Sequence, residues 1–291
     1  MITASLVKEL REKTGAGMLD CKKALEATEG KLDAAIDWLR EKGISKAAKK
    51  ADRIAAEGLA GILVNGNDAV IVEINSETDF VAKNEEFKGL LSTVLETLIK
   101  SDAKTVEEAG KLQTSEGTID ELLISKTATI GEKLSFRRFT KVTKKDNQTF
   151  GSYIHMGGRI AVLSIINGEN EEVAKDVSMQ AAAMRPKYVK RSDVPADVIE
   201  HEKSVIKEQA VNEGIAENRI DGAVTGRLNK FFKEICLEEQ LFIKDDKKPV
   251  SKYLEENNCS IEDVIRYEVG EGIEKKEEDF ATEVMNQINN K

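Results

Sequence analysis

The sequence predicts an α+β protein in which a small helical bundle precedes a duplicated core. Two observations carry this prediction. The spacing of apolar residues changes from the period of helices to that of strands near residue 61, and one order of elements (hairpin, amphipathic helix, closing strand) then occurs twice. A length of 291 residues, with 40% hydrophobic and 33% charged residues, suits a folded chain of two or three domains.

The N-terminal 42 residues or so predict three short helices, separated by turns at Thr14–Gly17 and Thr28–Gly30. Each helix carries apolar residues at helical spacing: Leu6, Val7 and Leu10; then Met18, Cys21, Ala24 and Leu25; then Leu32, Ala35, Ile36 and Leu39. A bundle of this size is too small for an enzyme and is typical of ubiquitin-associated-type docking modules. A bundle that only stabilises the rest of the chain is the alternative.

The segment from Lys46 to about Ala56 predicts a charged helical linker. Its basic residues are Lys46, Lys49, Lys50 and Arg53, with no aromatic residue among them, and the whole chain has a formal net charge of −9. A nucleic-acid surface needs a surplus of Lys and Arg on one face to neutralise phosphates. We therefore interpret the cluster as a solvated helix face, with an RNA contact as the alternative.

The first copy of the core begins with a predicted hairpin, in which Gly61–Val64 and Ala69–Ile74 flank the turn residues Asn65 and Gly66. An amphipathic helix follows, with one apolar stripe made of Phe87, Leu90, Leu91, Val94, Leu95 and Leu98. The segment Leu134–Phe139 predicts the third strand. Together these elements predict a three-stranded antiparallel sheet covered by a helix.

The second copy repeats this order. Tyr153–His155 and Ile160–Ile166 predict a hairpin around Met156–Arg159, and Ile265–Val269 predicts the closing strand. Between them lies a predicted helix with four inward residues, Ala174, Val177, Ala181 and Met184.

The second copy is longer, and the segment from Pro195 to about Leu237 accounts for the difference. It predicts two helices that project as an antiparallel hairpin; two helices lying flat on the core are the alternative. At the end of the chain, a charged helix is predicted with four apolar residues on one side, Phe280, Val284, Met285 and Ile288. The predicted domains are the bundle with its linker helix (1–55), the first core copy (56–142), the second core copy (143–273, with the insertion at about 190–237) and a C-terminal module (274–291).

No residue pattern typical of catalysis occurs in the sequence. The two histidines, His155 and His201, have no metal-binding spacing, and the three cysteines are far apart. Neither a phosphate-binding loop nor a nucleophile elbow is present. We expect no enzymatic activity, no cofactor and no bound metal.

The expected compartment is the cytoplasm. No stretch approaches the roughly 18 apolar residues of a membrane span, and Met1–Ser5 lacks the basic flank and apolar core of a secretion signal. We expect neither a membrane nor a nucleic acid as a direct partner.

The segment Ser76–Asn84 places two apolar residues, Phe80 and Val81, in a polar stretch that predicts a loop. In one interpretation, both pack back on the following helix as a hydrophobic staple. In the other, Phe80 is an anchor for a pocket of a partner protein. The sequence pattern leaves both open.

Two long motifs carry a family resemblance. Thr78–Asn84 (TDFVAKN) and Leu6–Leu25 resemble the corresponding segments of bacterial elongation factor Ts. Shorter matches follow in the same order along the chain, at 46–50, 130–132, 151–153 and 266–275. The resemblance therefore extends over nearly the whole chain.

The resemblance implies a guanine-nucleotide exchange factor whose partner is elongation factor Tu, in its GDP-bound and nucleotide-free forms. It implies that Thr78, Asp79, Phe80 and Val81 displace Mg²⁺ from the partner's nucleotide site. Further implied contacts are Met18, Leu19, Lys22, Ile130, Gly131 and His155, and a core position is the alternative for Met18 and for His155. Two other functions stay open, a peptide-binding adaptor and a ribosome-associated RNA-binding protein.

Overall fold

The computed structural model describes residues 2–14 and 16–274, without the side chains of residues 44–46. The fold is α+β, as predicted. Its described residues form two compact units, one from residues 2–61 (without 15), 72–139 and 268–274, the other from Ile62–Ile71 and Thr140–Tyr267. The predicted C-terminal helix with Phe280, Val284, Met285 and Ile288 lies outside the described residues, and the division into four domains stays a prediction.

The N-terminal bundle consists of three helices, α1 (Ala4–Thr14), α2 (Met18–Ala27) and α3 (Leu32–Ala48), which confirms the three predicted helices. The buried residues of its core are Val7, Leu10, Cys21, Ala24, Leu25 and Ala35. The predicted helical linker to Ala56 is wrong beyond Ala48, since residues 49–53 form turns. Two carbonyls of these turns, those of Ala51 and Arg53, accept hydrogen bonds from Lys133 Nζ at 2.6 and 2.9 Å instead of helical partners.

The first core copy contains, in chain order, β1 (Glu57–Asn65), β2 (Asp68–Ser76), α4 (Asp79–Ala82), α5 (Glu85–Ile99), α6 (Val106–Gly110), β3 (Gln113–Thr114), β4 (Gly117–Thr118), α7 (Ile119–Ile130) and β5 (Ser135–Thr143). The strand order β1-β2-β5 confirms the predicted three-stranded sheet. At the hairpin turn Gly66 has φ +61°, a conformation that glycine adopts without steric cost. The whole predicted apolar stripe of α5 is buried, and two of its residues, Leu91 and Leu95, lie against Gly61 of β1.

The second core copy contains, in chain order, β6 (Gln148–His155), β7 (Ile160–Asn167), α8 (Glu171–Met184), α9 (Ala196–Asn212), α10 (Glu217–Ile235), β8 (Leu241–Phe242), β9 (Asp245–Pro249), α11 (Val250–Glu256) and β10 (Ser260–Glu268). The strand order β10-β7-β6 puts the closing strand beside the second hairpin strand, as in the first copy. The predicted duplication is therefore confirmed.

The prediction is wrong for one of the four residues expected to face inward on α8. Ala174, Val177 and Ala181 are buried, but Met184 is 46% exposed. Met184 is the last residue of the helix, and Arg185 ends it in the left-handed conformation with φ 49°. The buried face of α8 therefore ends before Met184.

The insertion forms the predicted pair of helices, α9 and α10, which pack against each other. A small cluster of buried residues closes their base: Val194, Phe232, Ile235 and Cys236. The residues around the connecting turn, 211–219, are almost all exposed. This pattern favours the projecting hairpin over two helices lying flat. Within the part of the chain that the structure describes, the helices are too short or too polar to span a bilayer.

Candidate functional site

The segment Thr78–Val81 lies between β2 and α5. The predicted loop is wrong in one respect, because Asp79–Ala82 forms one helical turn that Thr78 caps, its Oγ1 accepting a hydrogen bond from Val81 N at 3.5 Å. Phe80 stands on this turn with 79% of its surface exposed, and Val81 is half-buried. The staple interpretation is therefore wrong for Phe80, which presents its ring to solvent.

Lys83 contacts both exposed residues of the turn. Its Nζ lies 2.6 Å from Asp79 Oδ2 and 5.8 Å from the centre of the Phe80 ring. The hydrogen bond from Lys83 lowers the pKa of Asp79 below the 3.8 that is usual for aspartate. Asp79 therefore stays ionised at neutral pH, next to an exposed aromatic ring.

Replacing Lys83 by methionine is expected to raise the pKa of Asp79 toward its ordinary value, because the hydrogen bond from Lys83 to the charged form is lost while the backbone hydrogen bonds to the carboxylate remain. In the wild type, the pKa of Asp79 is lower in the folded chain than in the unfolded chain. The hydrogen bond from Lys83 to Asp79 therefore stabilises the fold at pH values above the unfolded pKa, and this stabilisation is lost as pH falls through the folded pKa. Carbon-13 NMR titration of the Asp79 carboxyl measures this shift. Lys88→Met is the control, since Lys88 pairs with Glu85; an unchanged Asp79 pKa in Lys83→Met would contradict the assignment.

The backbone leading into the turn is tied to the loop after α7. Thr78 N donates to Glu132 Oε2 at 2.9 Å, and Thr78 Oγ1 donates to Glu132 Oε1 at 2.7 Å. Lys133 N in turn donates to Glu77 Oε1 at 2.6 Å. The two segments 77–78 and 132–133 are therefore held together by hydrogen bonds in both directions.

Ile130 and Gly131 directly precede this attachment. Ile130 is the last residue of α7, and Gly131 ends the helix in the left-handed conformation with φ +89°, its N–H donating to the Thr127 carbonyl. Gly131 is exposed and Ile130 is half-buried. The structure therefore brings Ile130 and Gly131 next to the Thr78–Val81 segment, from which they are about fifty residues distant in sequence.

The three implied contacts of the bundle lie at the start of α2. Met18 is 60% exposed and Leu19 is 74% exposed, so the alternative of Met18 as a core residue is wrong. Lys22 is also exposed and lies 3.8 Å from Glu26. Met18 and Leu19 thus form an apolar, accessible edge of the bundle, with the charged Lys22 beside them.

His155 belongs to the second unit, at the end of β6. It is exposed, with its Nδ1 3.4 Å from the Tyr153 hydroxyl, and the two rings are stacked at a centroid distance of 5.9 Å. Two exposed apolar neighbours flank it, Ile154 and Met156. His155 is thus accessible on the face of β6 that Tyr153 shares, whereas Ile154 points to the opposite face of the strand; Met156 follows directly and is exposed.

Among the described residues, no group of His, Cys, Asp or Glu is arranged to hold a metal ion. A family model described as "Elongation factor TS" matches residues 77–271.

The chain belongs to the elongation factor Ts family. The match covers 195 of the 291 residues and begins at Glu77, immediately before Thr78. It confirms the resemblance inferred from the motifs, and it assigns the chain to the translation elongation factors. Met18, Leu19 and Lys22 lie outside the matched residues, and the role of these and of all the other implied contacts stays a prediction.

Sequence reasoning missed the hydrogen bonds between Glu132 and Thr78. Glu132 occurs in the matched motif Ile130–Glu132, but nothing local shows its partner, because Thr78 lies 54 positions away. One local feature could have drawn attention to Glu132: it directly follows Gly131, the glycine that ends α7.

Proposed function

We propose that this elongation factor Ts family member is a guanine-nucleotide exchange factor. It binds elongation factor Tu in the GDP form, displaces Mg²⁺ and promotes release of GDP, after which GTP binds. The observation that carries this proposal is Phe80, 79% exposed on a capped helical turn within the family match. Exchange by docking needs no catalytic residue of its own.

The proposed mechanism begins with Phe80 as a wedge in the partner's GTP-binding domain. Burial of a phenylalanine side chain contributes about 1.5 to 3 kcal/mol, enough to hold the partner in an altered conformation. Asp79 is ionised and adjacent, and we propose that it perturbs the groups that support the metal. Mg²⁺ bridges nucleotide phosphates and protein, so its loss weakens nucleotide binding.

The energetic principle is linkage. A factor that binds the nucleotide-free partner more tightly than the GDP-bound partner weakens nucleotide binding by the same factor. Each 1.4 kcal/mol of lowered barrier accelerates release about tenfold. The proposal assigns this difference in affinity to the exposed Phe80, whose contacts would form with the nucleotide-free partner and not with the GDP-bound one.

The other proposed contacts support docking. They are Met18, Leu19, Lys22, Ile130, Gly131 and His155. Each is exposed or half-buried. We further propose a cytoplasmic location and the four-domain division given above.

Release of a fluorescent GDP analogue from purified elongation factor Tu tests the proposal, in Mg²⁺ buffer with excess unlabelled GDP. Saturable acceleration at substoichiometric amounts of this chain is the expected result, because a catalyst of exchange acts repeatedly. No acceleration would contradict the proposal and would leave an adaptor that binds without exchange.

A further inference from the structure

We infer that Glu132 is a positioning residue for Phe80. Its carboxylate holds Thr78, and through Thr78 it holds the helical turn that presents the ring. The inference deepens the proposed exchange function and rests on it.

The attachment has two points. Both donors of Thr78, its N–H and its hydroxyl, are bound by the two oxygens of the same carboxylate, at 2.9 and 2.7 Å. Two parallel hydrogen bonds to a charged acceptor fix an orientation as well as a distance. The hydroxyl of Thr78 also accepts the hydrogen bond that caps the turn. Glu132 therefore determines where the cap, and hence the turn, is placed.

The turn needs such a support because it is short. Asp79–Ala82 has only four helical residues, and isolated helices of this length are unstable in water. An unsupported segment would have to be ordered when the partner binds, and that entropy would reduce the free energy available to displace the nucleotide. A turn fixed in advance avoids this cost.

A third segment, residues 50–53, binds both of the segments that Glu132 and Thr78 connect. Lys50 Nζ donates to the Gly131 carbonyl, and Arg53 Nη1 lies 3.3 Å from both oxygens of Glu77. The sequence left two interpretations of the basic cluster open, a solvated helix face and an RNA contact. Two members of the cluster, Lys50 and Arg53, bind groups of the same protein. We assign Lys50 and Arg53 to the support of this loop.

The test compares Glu132→Ala and the isosteric Glu132→Gln with a matched control, Glu116→Gln, in the full-length chain. Glu116 is an exposed carboxylate of the same unit, 4.0 Å from Lys126. Glu132→Ala is expected to lower the maximal rate of GDP-analogue release about tenfold, with a smaller loss for Glu132→Gln, which keeps one acceptor. The half-saturating concentration should change little, because other residues dock the partner. Glu116→Gln should match the wild type.

A double-mutant cycle separates positioning from general stability. In a Phe80→Ala background, Glu132→Ala should have a much smaller effect on release than in the wild type, because no ring remains to be positioned and only Asp79 is left on the turn. Equal losses in both backgrounds would overturn the inference, since Glu132 would then act independently of Phe80.

Hydrogen–deuterium exchange of the free protein tests the same inference without the partner. The amides of residues 79–83 should exchange faster in Glu132→Ala than in the wild type or in Glu116→Gln. Unchanged exchange of these amides would overturn the positioning role. A wild-type chain that fails to accelerate GDP release would instead overturn the proposed function, whatever the amides show.

Discussion

Phe80→Ala is expected to lower the rate of GDP release from elongation factor Tu, at saturating amounts of this chain, by about 10- to 100-fold. The estimate follows from the roughly 1.5 to 3 kcal/mol that burial of a phenylalanine contributes and from the tenfold change in rate for each 1.4 kcal/mol. Addition of Asp79→Ala should slow release further, because the carboxylate beside the ring is then also lost. The measurement is stopped-flow release of a fluorescent GDP analogue.

The substitution Phe80→Ala should not lower the stability of the free protein. The ring is 79% exposed, and surface substitutions of this kind change the free energy of unfolding by about 0.5 kcal/mol or less. Val64→Ala is a matched control, since Val64 is another exposed apolar residue and is not among the proposed contacts. Unchanged release by Phe80→Ala would contradict the wedge, while docking through the other residues would stand.

Glu73→Leu is expected to lower the free energy of unfolding by about 3 kcal/mol, the lower end of the cost of removing one partner from a buried ion pair, because Arg137 and Arg138 are partly exposed. Glu73 is fully buried on β2. Its Oε1 accepts from Arg137 Nη1 and from the backbone N–H of Gly270, both at 2.9 Å, and its Oε2 accepts from Arg138 Nε at 2.6 Å. A leucine would leave these donors without the carboxylate. Denaturant unfolding followed by circular dichroism measures the loss.

Glu271→Gln is the control for this substitution. The Glu271 side chain is 53% exposed and lies 3.4 Å from Arg138 Nη2, so its replacement should cost less than about 1 kcal/mol. Equal effects of the two substitutions would show that burial of Glu73 contributes nothing, and the assignment of this network to stability would be wrong.

Local pattern was sufficient for most of the fold. The apolar stripe of α5 and the turn at Gly66 are properties of consecutive residues, so periodicity and backbone preference predict them without knowledge of the rest of the chain. The same reasoning failed at the C-terminal ends of two helices, α3 and α8. The helical linker stops at Ala48, because groups far along the chain bind the following turns, and Met184 is exposed, because the helix ends there.

For the candidate site, the sequence supplied the residues and the tertiary structure supplied their arrangement. Motif resemblance named Phe80, Ile130 and Gly131, but the pattern around Phe80 fitted a buried staple as well as an exposed anchor. Solvent exposure decided between them, and it depends on what the rest of the fold covers.

What the sequence by itself determined is the α+β class, the duplicated core and the family, since these depend on local periodicity and on contiguous motifs. Only the tertiary structure decided that Phe80 is exposed, that Glu132 holds Thr78 and that Lys50 and Arg53 bind groups of the same chain. The physical reason is separation along the chain. A carboxylate and a hydroxyl 54 positions apart become hydrogen-bond partners only when the packed core brings their segments together.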